Sequence, residues 1–360
     1  MKLKLTTLTP LHIGNGQKWY PFEYWQEKNS IWVGDFDRFS DYLLSKDDWE
    51  KSYTQLIGFI KSSIKNNRIE SSFWDILEKF GLADTTKITE LKMAKKSLNY
   101  NPSFKNLKKE IDQFVCHPNN SLFIPGSSIK GALRTVFLYN LVQKSLDIRG
   151  VYNKDNAETD KLRHIYKYND AENIHVADIE MGRFKSKVDV VKRIGMSAKG
   201  MPRDKQEGNL NAVEVIDIAE EDLVYVNIRS KLSFSQIKKA ADDFYLKSLG
   251  EIMEIESVKN DNALFVCLSD IQSEIVKESN SIFLQLGKYG DYFTKSLGSL
   301  IKNRAVDSRI DDKNLTNLRR VYNFGKIPRL NKYGKIFPKT FSVSSENKPF
   351  GWVKLTFEEQ

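Results

Sequence analysis

The sequence predicts an α+β fold, and three observations carry the prediction. Short runs in which apolar and polar residues alternate stand near both ends of the chain, at residues 2–8 and 352–357. Longer segments with helical spacing lie between them, and the two kinds mix without a regular βαβα alternation. The 360 residues are 40% hydrophobic and include 21 Phe and 15 Tyr, enough for two domains of roughly 150 residues with buried cores. No fixed-period repeat or low-complexity tract interrupts them.

Taken in order, the first strand (2–8) places Leu3 and Leu5, with Leu8 at its end, inward, and Thr9-Pro10 stops it. In LHIGNGQ, which follows, Gly14 and Gly16 flank Asn15 and permit a tight backbone path. Residues 19–25, the turn-like Lys28-Asn29-Ser30 and residues 31–33 predict a hairpin. From Phe39 to about Phe114 the chain reads as charged and helical, broken at Gly81 and near 99–102, and so as a helical insertion outside any sheet. Phe123-Ile124 closes a short strand and Pro125-Gly126 turns. Ser127 or Ser128 then caps a helix whose buried face carries Leu133, Val136, Phe137 and Leu141. A polar loop at about 153–173 leads to a strand at 174–178. Residues 213–218 and 223–228 predict a second hairpin, residues 234–249 and 262–283 two helices, and residues 352–357 a strand. The loop 195–211, rich in Gly, Met, Lys and Asn, is the candidate mobile segment.

Charge narrows the function classes. The chain has 56 Lys+Arg against 47 Asp+Glu, a formal +9, which suits a polyanionic partner. Residues 183–205, around Arg193, hold eight basic and two acidic side chains; residues 206–286 hold seven and fifteen; residues 288–339 hold thirteen and four. The last segment also carries Tyr289, Tyr292, Phe293, Tyr322, Phe324, Tyr333 and Phe337. Cations among aromatic rings neutralise phosphates and let unpaired bases stack, although a solvated basic face over an aromatic core has the same composition. The two cysteines, Cys116 and Cys267, form no CxxC, which excludes a disulfide framework and a cysteine-based zinc site. The start, MKLKLTTLTP, has no apolar signal region, and no apolar run approaches the roughly 20 residues that cross a bilayer. The expectation is a soluble, cytoplasmic protein with no membrane partner.

Two motifs have binding chemistry. In PGSSIKGALR, residues 125–134, a helix N-terminus presents unpaired N–H groups beside Ser127 and Ser128. Lys130 and Arg134 project four residues apart on one face, against the helix dipole, a placement that a phosphate would explain. A capped, partly buried helix with two incidental cations is the plainer reading. In LQLGKYGDYFTKSLG, residues 284–298, three glycines surround Lys288, Tyr289 and Lys295 in a pattern suited to close backbone approach, phosphate contact and stacking. A Gly-rich turn between two helices explains the same residues.

Catalytic patterns are sparse. Neither GxxxxGK[ST], GxGxxG nor GxSxG occurs at these sites, and His12, His117, His164 and His175 form no HxH or HxxxH pair. His12, beside the first glycine loop, is the one candidate general base. Asp35, Asp37 and Asp178 could hold Mg²⁺ at strand ends, but solvated acids there are commoner. The residues predict a binding protein without cofactor or metal before they predict an enzyme.

The segments LTTLTPLHIGNG, FIPGSSIKGALRT, LGKYGDYFTKSLG and PKTFSV…PFGWVKL, in that order, resemble the RAMP superfamily of CRISPR proteins. Within it they are most similar to the subunit that caps the crRNA 3′ end in type III-A (Csm) effector complexes. The resemblance is anchored at both ends and in the middle; residues 39–114 and 153–173 carry no matching motif. It implies two ferredoxin-like (RRM-like) domains, 1–182 and 183–360, with a helical insertion at about 39–114 in the first.

It also implies a non-catalytic subunit that binds the 3′ part of the crRNA without regard to sequence and caps the backbone filament. Such a subunit supports crRNA maturation in antiviral defence. The implied partners are crRNA, the backbone RAMP subunit, the small helical subunit, and host nucleases in maturation. The implied RNA contacts are Ser127, Ser128, Lys130 and Arg134 at the helix start, and His12, Gly14 and Gly16 in the first loop. Arg193, and Lys288, Tyr289 and Lys295 in a loop less glycine-dense than the family's, complete the set. No acid here aligns with the aspartate by which backbone relatives cut RNA. A metal-independent CRISPR RNA-processing endoribonuclease using His12 is the alternative.

Overall fold

Leu3 and Leu5 are fully buried between outward lysines, so the period-two pattern at the start of the sequence becomes the central strand of a sheet, β1 (Lys2–Thr7). A computed structural model describes residues 1–65, 68–69, 71–100, 109–145, 173–182, 184–195, 211–296 and 340–358. β1 pairs antiparallel with β17 (Trp352–Phe357) on one side, Leu5 opposite Leu355, and with β14 (Tyr225–Arg229) on the other, Leu3 opposite Val226. β10 (His175–Val176) extends the sheet beyond β14, and β15 (Ser281–Gln285) extends it beyond β17.

Three helices pack with this five-stranded sheet: α5 (Gly126–Ser145), α6 (Phe234–Met253) and α8 (Asn262–Lys277). Ser233 and Gln236 form a capping box that starts α6. From there Ile237, Ala241, Phe244, Tyr245, Leu249 and Ile252 turn one stripe into the core. Asp261 caps α8, which buries Leu264, Leu268, Ile271 and Ile275. The short helix α7 (Glu256–Lys259) joins the two, and α9 (Tyr292–Lys295) follows β15. The Tyr245 ring meets Trp352 edge-on at 5.2 Å, and its hydroxyl accepts the Gln285 N–H at 3.1 Å.

A second sheet runs in the order β2 (Gly14–Trp19), β8 (Ile111–Phe114), β13 (Asn211–Val215), β12 (Lys187–Gly195), β7 (Ala94–Tyr100), β4 (Ser30–Gly34), β3 (Tyr24–Glu27). β16 (Thr340–Val343) pairs with the far end of β12. Against its β3–β4 edge sits a helical lobe, α1 (Phe36–Leu44), α2 (Trp49–Ser62), α3 (Phe73–Lys79) and α4 (Thr85–Glu90). The lobe has its own core, in which Trp25 stacks on Trp32 and Phe73. Two minor pairs complete the strands: β5 (Ile64–Lys65) with β6 (Arg68–Ile69), and β9 (Phe123–Ile124) with β11 (Ile179–Glu180). Both large sheets take strands from before and after residue 182.

The mixed α/β character is as predicted, but several elements differ. The first hairpin is Tyr24–Glu27 with Ser30–Gly34, turning at Lys28-Asn29, whereas Trp19 lies in β2 and pairs with Ile111. The expected helical stretch 39–114 is helical only to Glu90; its remainder supplies β7 and β8, where Leu98 and Tyr100 are buried, Lys95, Ser97 and Asn99 face out, and Lys96 reaches inward to the buried Glu214. That is a period-two pattern hidden in a charged run. Residues 213–218 and 223–228 do not pair with each other, because β13 and β14 belong to different sheets. The helix expected over 262–283 stops at Lys277; the apolar run Ser281–Gln285, buried at every position, is a strand. Asp35 caps α1 by accepting the Arg38 N–H, a structural duty. The loops expected at 153–173 and 195–211 lie almost wholly outside the described residues, as do Tyr322, Phe324, Tyr333 and Phe337.

Candidate nucleic-acid interface

Four stretches remote in sequence meet at one open cleft of about 460 Å³. The passage from β1 into β2 contributes His12, Gly14, Gly16 and Lys18, and β8 contributes Asp112 and Gln113. The first turns of α5 supply Ser127, Ser128, Gly131 and Thr135; Gln285, Gly287, Lys288, Thr294 and Lys295 form the remaining wall. A site of this size lies within the roughly 300–1,000 Å³ range of ligand pockets.

Backbone alone builds the cleft's floor. Gly287 (φ +80) lets the Lys288 N–H donate to the His12 carbonyl at 3.2 Å; a Cβ on Gly287 would stand 1.9 Å from that oxygen. Gly351 (φ +85) repeats the device: it donates to the Pro10 carbonyl at 2.9 Å and accepts the Leu286 N–H at 2.8 Å. Three chain segments thus touch where no side chain would fit.

His12 is 1% exposed. Its Nδ1 is 2.7 Å from the Glu214 carbonyl, which can only accept, so Nδ1 carries the proton and Nε2 is left as an acceptor. Nε2 is buried and has no hydrogen-bond partner among the described residues. Burial pushes the imidazole below its ordinary pKa, against the opposing pull of the Glu214 carbonyl and Asp112, so the ring is neutral at pH 7. It packs edge-on to Phe114 at 6.2 Å and tilted against Tyr289 at 5.6 Å.

Asp112, absent from the sequence-based candidates, organises the facing wall. Lys288 Nζ and the Tyr289 hydroxyl donate to its Oδ2 at 2.7 and 2.5 Å, and Lys18 Nζ lies 3.9 Å from Oδ1. Burial alone would raise this carboxyl; the bonds from Lys288 and Tyr289 outweigh it and hold the pKa below the ordinary value. Asp112→Asn is therefore expected to free Lys288 and raise affinity for a polyanion about three- to tenfold at low salt, with the gain shrinking as salt rises. The same variant lacks a stabilisation that the wild type holds above the unfolded carboxyl value of about 4 and loses as pH falls through the lower folded one. Unfolding curves between pH 3 and 7 check this; parallel pH dependence in both proteins would refute it.

Lys295 is the third cation on the cleft wall, and it has no ion pair or hydrogen bond among the described residues. Burial pulls its pKa down to about 8, with Asp291 opposing.

Of the residues singled out from sequence, His12, Gly14, Gly16, Ser127, Ser128, Lys288 and Lys295 line this cleft. Lys130 and Arg134 lie on the neighbouring stripe of α5, outside its wall. Tyr289 has its ring between His12 and Phe350 and its hydroxyl on Asp112, and Arg193 is exposed on β12, opposite Ser342. Ser127 and Ser128 are not caps: α5 begins at Gly126, whose N–H donates to the Asp178 carboxylate at 2.7 Å. Lys18, Asp112, Gln285 and Thr294 have no local signature in the sequence; only the pairing of β2 with β8 and the turn after β15 bring them in.

Other chemistry has little footing among the described residues. No cluster of three or more His, Cys, Asp or Glu could hold a metal there, and His117 pairs on the surface with Glu180 at 3.0 Å. Burial raises both thiols, that of Cys267 to about 11. No described helix is long and apolar enough to cross a membrane.

A family model for the RAMP superfamily matches residues 4–290 and so takes in the cleft residues from His12 to Lys288, while Thr294 and Lys295 lie just beyond it. The chain belongs to the RAMP superfamily. Among relatives of this RAMP chain, the CRISPR system Cms protein Csm5 of Methanocaldococcus jannaschii is 27% identical over 394 aligned positions, covering 100% of this chain and 89% of the relative. The protein of the same name from Streptococcus thermophilus is 32% identical over 161 positions, 44% of this chain and 41% of the relative. The RAMP chain also superposes on a chain of a Csm–crRNA–target RNA ternary complex of a type III-A CRISPR-Cas system, with a TM-score of 0.66 and 19% identity over 99% of this chain and 100% of that one. For the crystal structure of T. onnurineus Csm5 the TM-score is 0.60, with 17% identity over 97% and 99%. At these identities the structural likenesses are likenesses of fold.

Proposed function

We propose that this chain is the crRNA-binding RAMP subunit of a type III-A CRISPR (Csm) effector complex, and that it holds the 3′ part of the guide. The observation that carries the reading is the meeting of the glycine loop after β1, the start of α5 and the Lys288–Lys295 loop at one cleft with three lysines on its walls. Full-length similarity to a Csm5 and fold likeness to a chain of a Csm–crRNA complex support it. In this reading the chain contacts the backbone RAMP subunit and the small helical subunit, caps the filament, and recruits host nucleases for guide maturation. It performs no cleavage itself: His12 is neutral, but no second acid–base group reaches its ring among the described residues.

Lys130 and Arg134, beside the cleft on α5, are proposed phosphate ligands, with Arg193 and Lys288 on the flanks. Lys130→Ala with Arg134→Ala is expected to weaken binding to unrelated guide sequences alike. It should also flatten the slope of log K against log salt by about 0.7 for each phosphate that is no longer neutralised. Unchanged affinity would remove both residues from the interface. A discrete product formed from repeat RNA in chelator, and absent in His12→Ala, would instead establish the processing enzyme.

The finer architecture proposed is two ferredoxin-like units meeting at residues 182–183, by the exposed turn at Gly182. Because β1 sits between β14 and β17, the units would exchange strands. Co-expressed fragments 1–182 and 183–360 should then co-purify, while each alone is insoluble; a stable, soluble 183–360 fragment would count against the exchange.

A further inference from the structure

Tyr20 is 44% exposed and follows directly on β2, the strand whose Lys18 stands on the cleft wall. The backbone at Tyr20 is still extended (φ −88, ψ 158), so Lys18 and Tyr20 fall on one face about 7 Å apart, with Trp19 on the other. Glu110 foremost holds the Lys18 ammonium above its ordinary pKa, and the Tyr20 phenol is among the lesser contributors, so the ring stands near this lysine. The ring is also fixed in place. It lies parallel to Phe22, with 6.0 Å between centroids and 10° between planes. Phe22 meets Phe36 edge-on at 6.0 Å, and Phe36 meets Phe73 of the lobe core at 4.8 Å. Beneath the stack a 3₁₀ turn, Pro21–Glu23, ties the backbone: the Tyr20 N–H donates to the Glu23 carboxylate at 2.8 Å, and the Glu23 N–H donates to the Tyr20 carbonyl at 2.8 Å. Phe22 covers one face of the Tyr20 ring, and no other ring or cation lies against it among the described residues.

An exposed tyrosine alone is ordinary. The other exposed aromatic side chains among the described residues, Trp49, Tyr53 and Phe265, have no ring behind them and belong to α2 and α8, which contribute nothing to the cleft. Tyr20 differs in both respects: it is backed by a second ring and stands beside a cleft lysine. Resting on the RNA-binding reading above, we propose that Tyr20 is a stacking platform at the mouth of the cleft. One unpaired base of the bound strand lies on the free face of the ring and extends the Tyr20–Phe22 stack, while the adjoining phosphate meets Lys18. The pair that Lys18 makes with Glu110 lies at the surface, where a phosphate displaces it at small cost. Because the ring is already held, little conformational freedom is lost when the base lands. Such a contact registers that a base is present and not which one, since every base has a π face.

The test measures the affinity of the full chain for unstructured single-stranded RNA of about 30 nucleotides across a salt series, in wild type, Tyr20→Phe, Tyr20→Leu and Tyr20→Ala. Tyr20→Ala and Tyr20→Leu are expected to weaken binding about five- to a hundredfold, the range for one stacked base. The slope of log K against log salt should stay as in wild type, because no phosphate contact is lost. Tyr20→Phe keeps the ring and should bind as wild type does. Lys18→Gln, by contrast, should flatten the slope by about 0.7; an unchanged slope there would overturn the phosphate contact at Lys18. Wild-type affinity in Tyr20→Ala, or in Tyr20→Leu, which restores apolar bulk without a π face, would overturn the platform and leave the RNA-binding reading standing. So would a loss in Tyr20→Phe as large as that in Tyr20→Ala, or a flatter salt slope in Tyr20→Ala. Failure of wild type to bind the RNA would overturn both.

Discussion

Gly287→Ala is expected to lose roughly 2–4 kcal/mol of folding stability and nearly all RNA binding. The added methyl meets the His12 carbonyl oxygen at 1.9 Å, and the φ of +80 is strained for any residue with a Cβ. Relief requires the 286–288 segment to move off the first strand's loop, which breaks the Lys288 N–H bond to His12 and moves Lys288 away from Asp112. The matched control is Gly131→Ala, on the same cleft but inside α5, where nothing lies within 4 Å of the new Cβ. There the substitution should stabilise by about 0.5–1 kcal/mol, because alanine is the better helix residue. Urea unfolding of the two variants gives opposite signs if the glycines have these roles. Wild-type stability in Gly287→Ala would show that the loop is not held as described.

Glu214→Ala is expected to cost about 3–5 kcal/mol, the range for removing one partner of a buried ion pair. Glu214 is 1% exposed in β13. Its carboxylate takes Lys96 Nζ from β7, the Ser186 hydroxyl, and the Phe114 N–H of β8 at 2.9 Å. Removal leaves a lysine, a hydroxyl and a backbone donor without their acceptor in the middle of the sheet. Glu214→Gln keeps the shape and some of these bonds, so its loss should be smaller. The backbone carbonyl of the same residue holds His12 Nδ1, and a loosened β13 should therefore weaken RNA binding as well. A loss below 1 kcal/mol in Glu214→Ala, measured at pH 7, would contradict the role assigned to the pair.

Local pattern made the edges of the fold legible and long-range pairing hid the rest. Leu3 and Leu5 alternate cleanly with lysines, Ser233 and Gln236 announce a helix start, and both elements stand where their residues place them. Val213 and Val226 belong to equally clear strands, but their partners lie far away in sequence, so a hairpin is the economical and incorrect reading. Leu98 and Tyr100 are masked by the lysines around them, and the Ile282–Leu284 run continues the helical spacing of α8 past its true end. At the cleft, glycines, small residues and cations clustered in sequence are visible as motifs. Asp112 is not, because one acid among Ile111, Gln113 and Phe114 has no signature until Lys288 and Tyr289 close on it.

The position of β1 has a consequence for how the protein is made. Its two neighbours are residues 225–229 and 352–357, so this strand is held by segments that leave the ribosome more than two hundred and about three hundred and fifty residues after it. At about 5–20 residues per second, Leu3 and Leu5 wait tens of seconds for the edges that bury them. During that interval the segment is an apolar strand with both edges open, the kind of surface that chaperones hold and that aggregates when they do not. The cleft, whose loop hangs from β1, cannot be complete earlier. Nascent chains stopped short of residue 352 should therefore lack the complete cleft, and under the proposed function they should not load a guide before residues 352–357 have emerged.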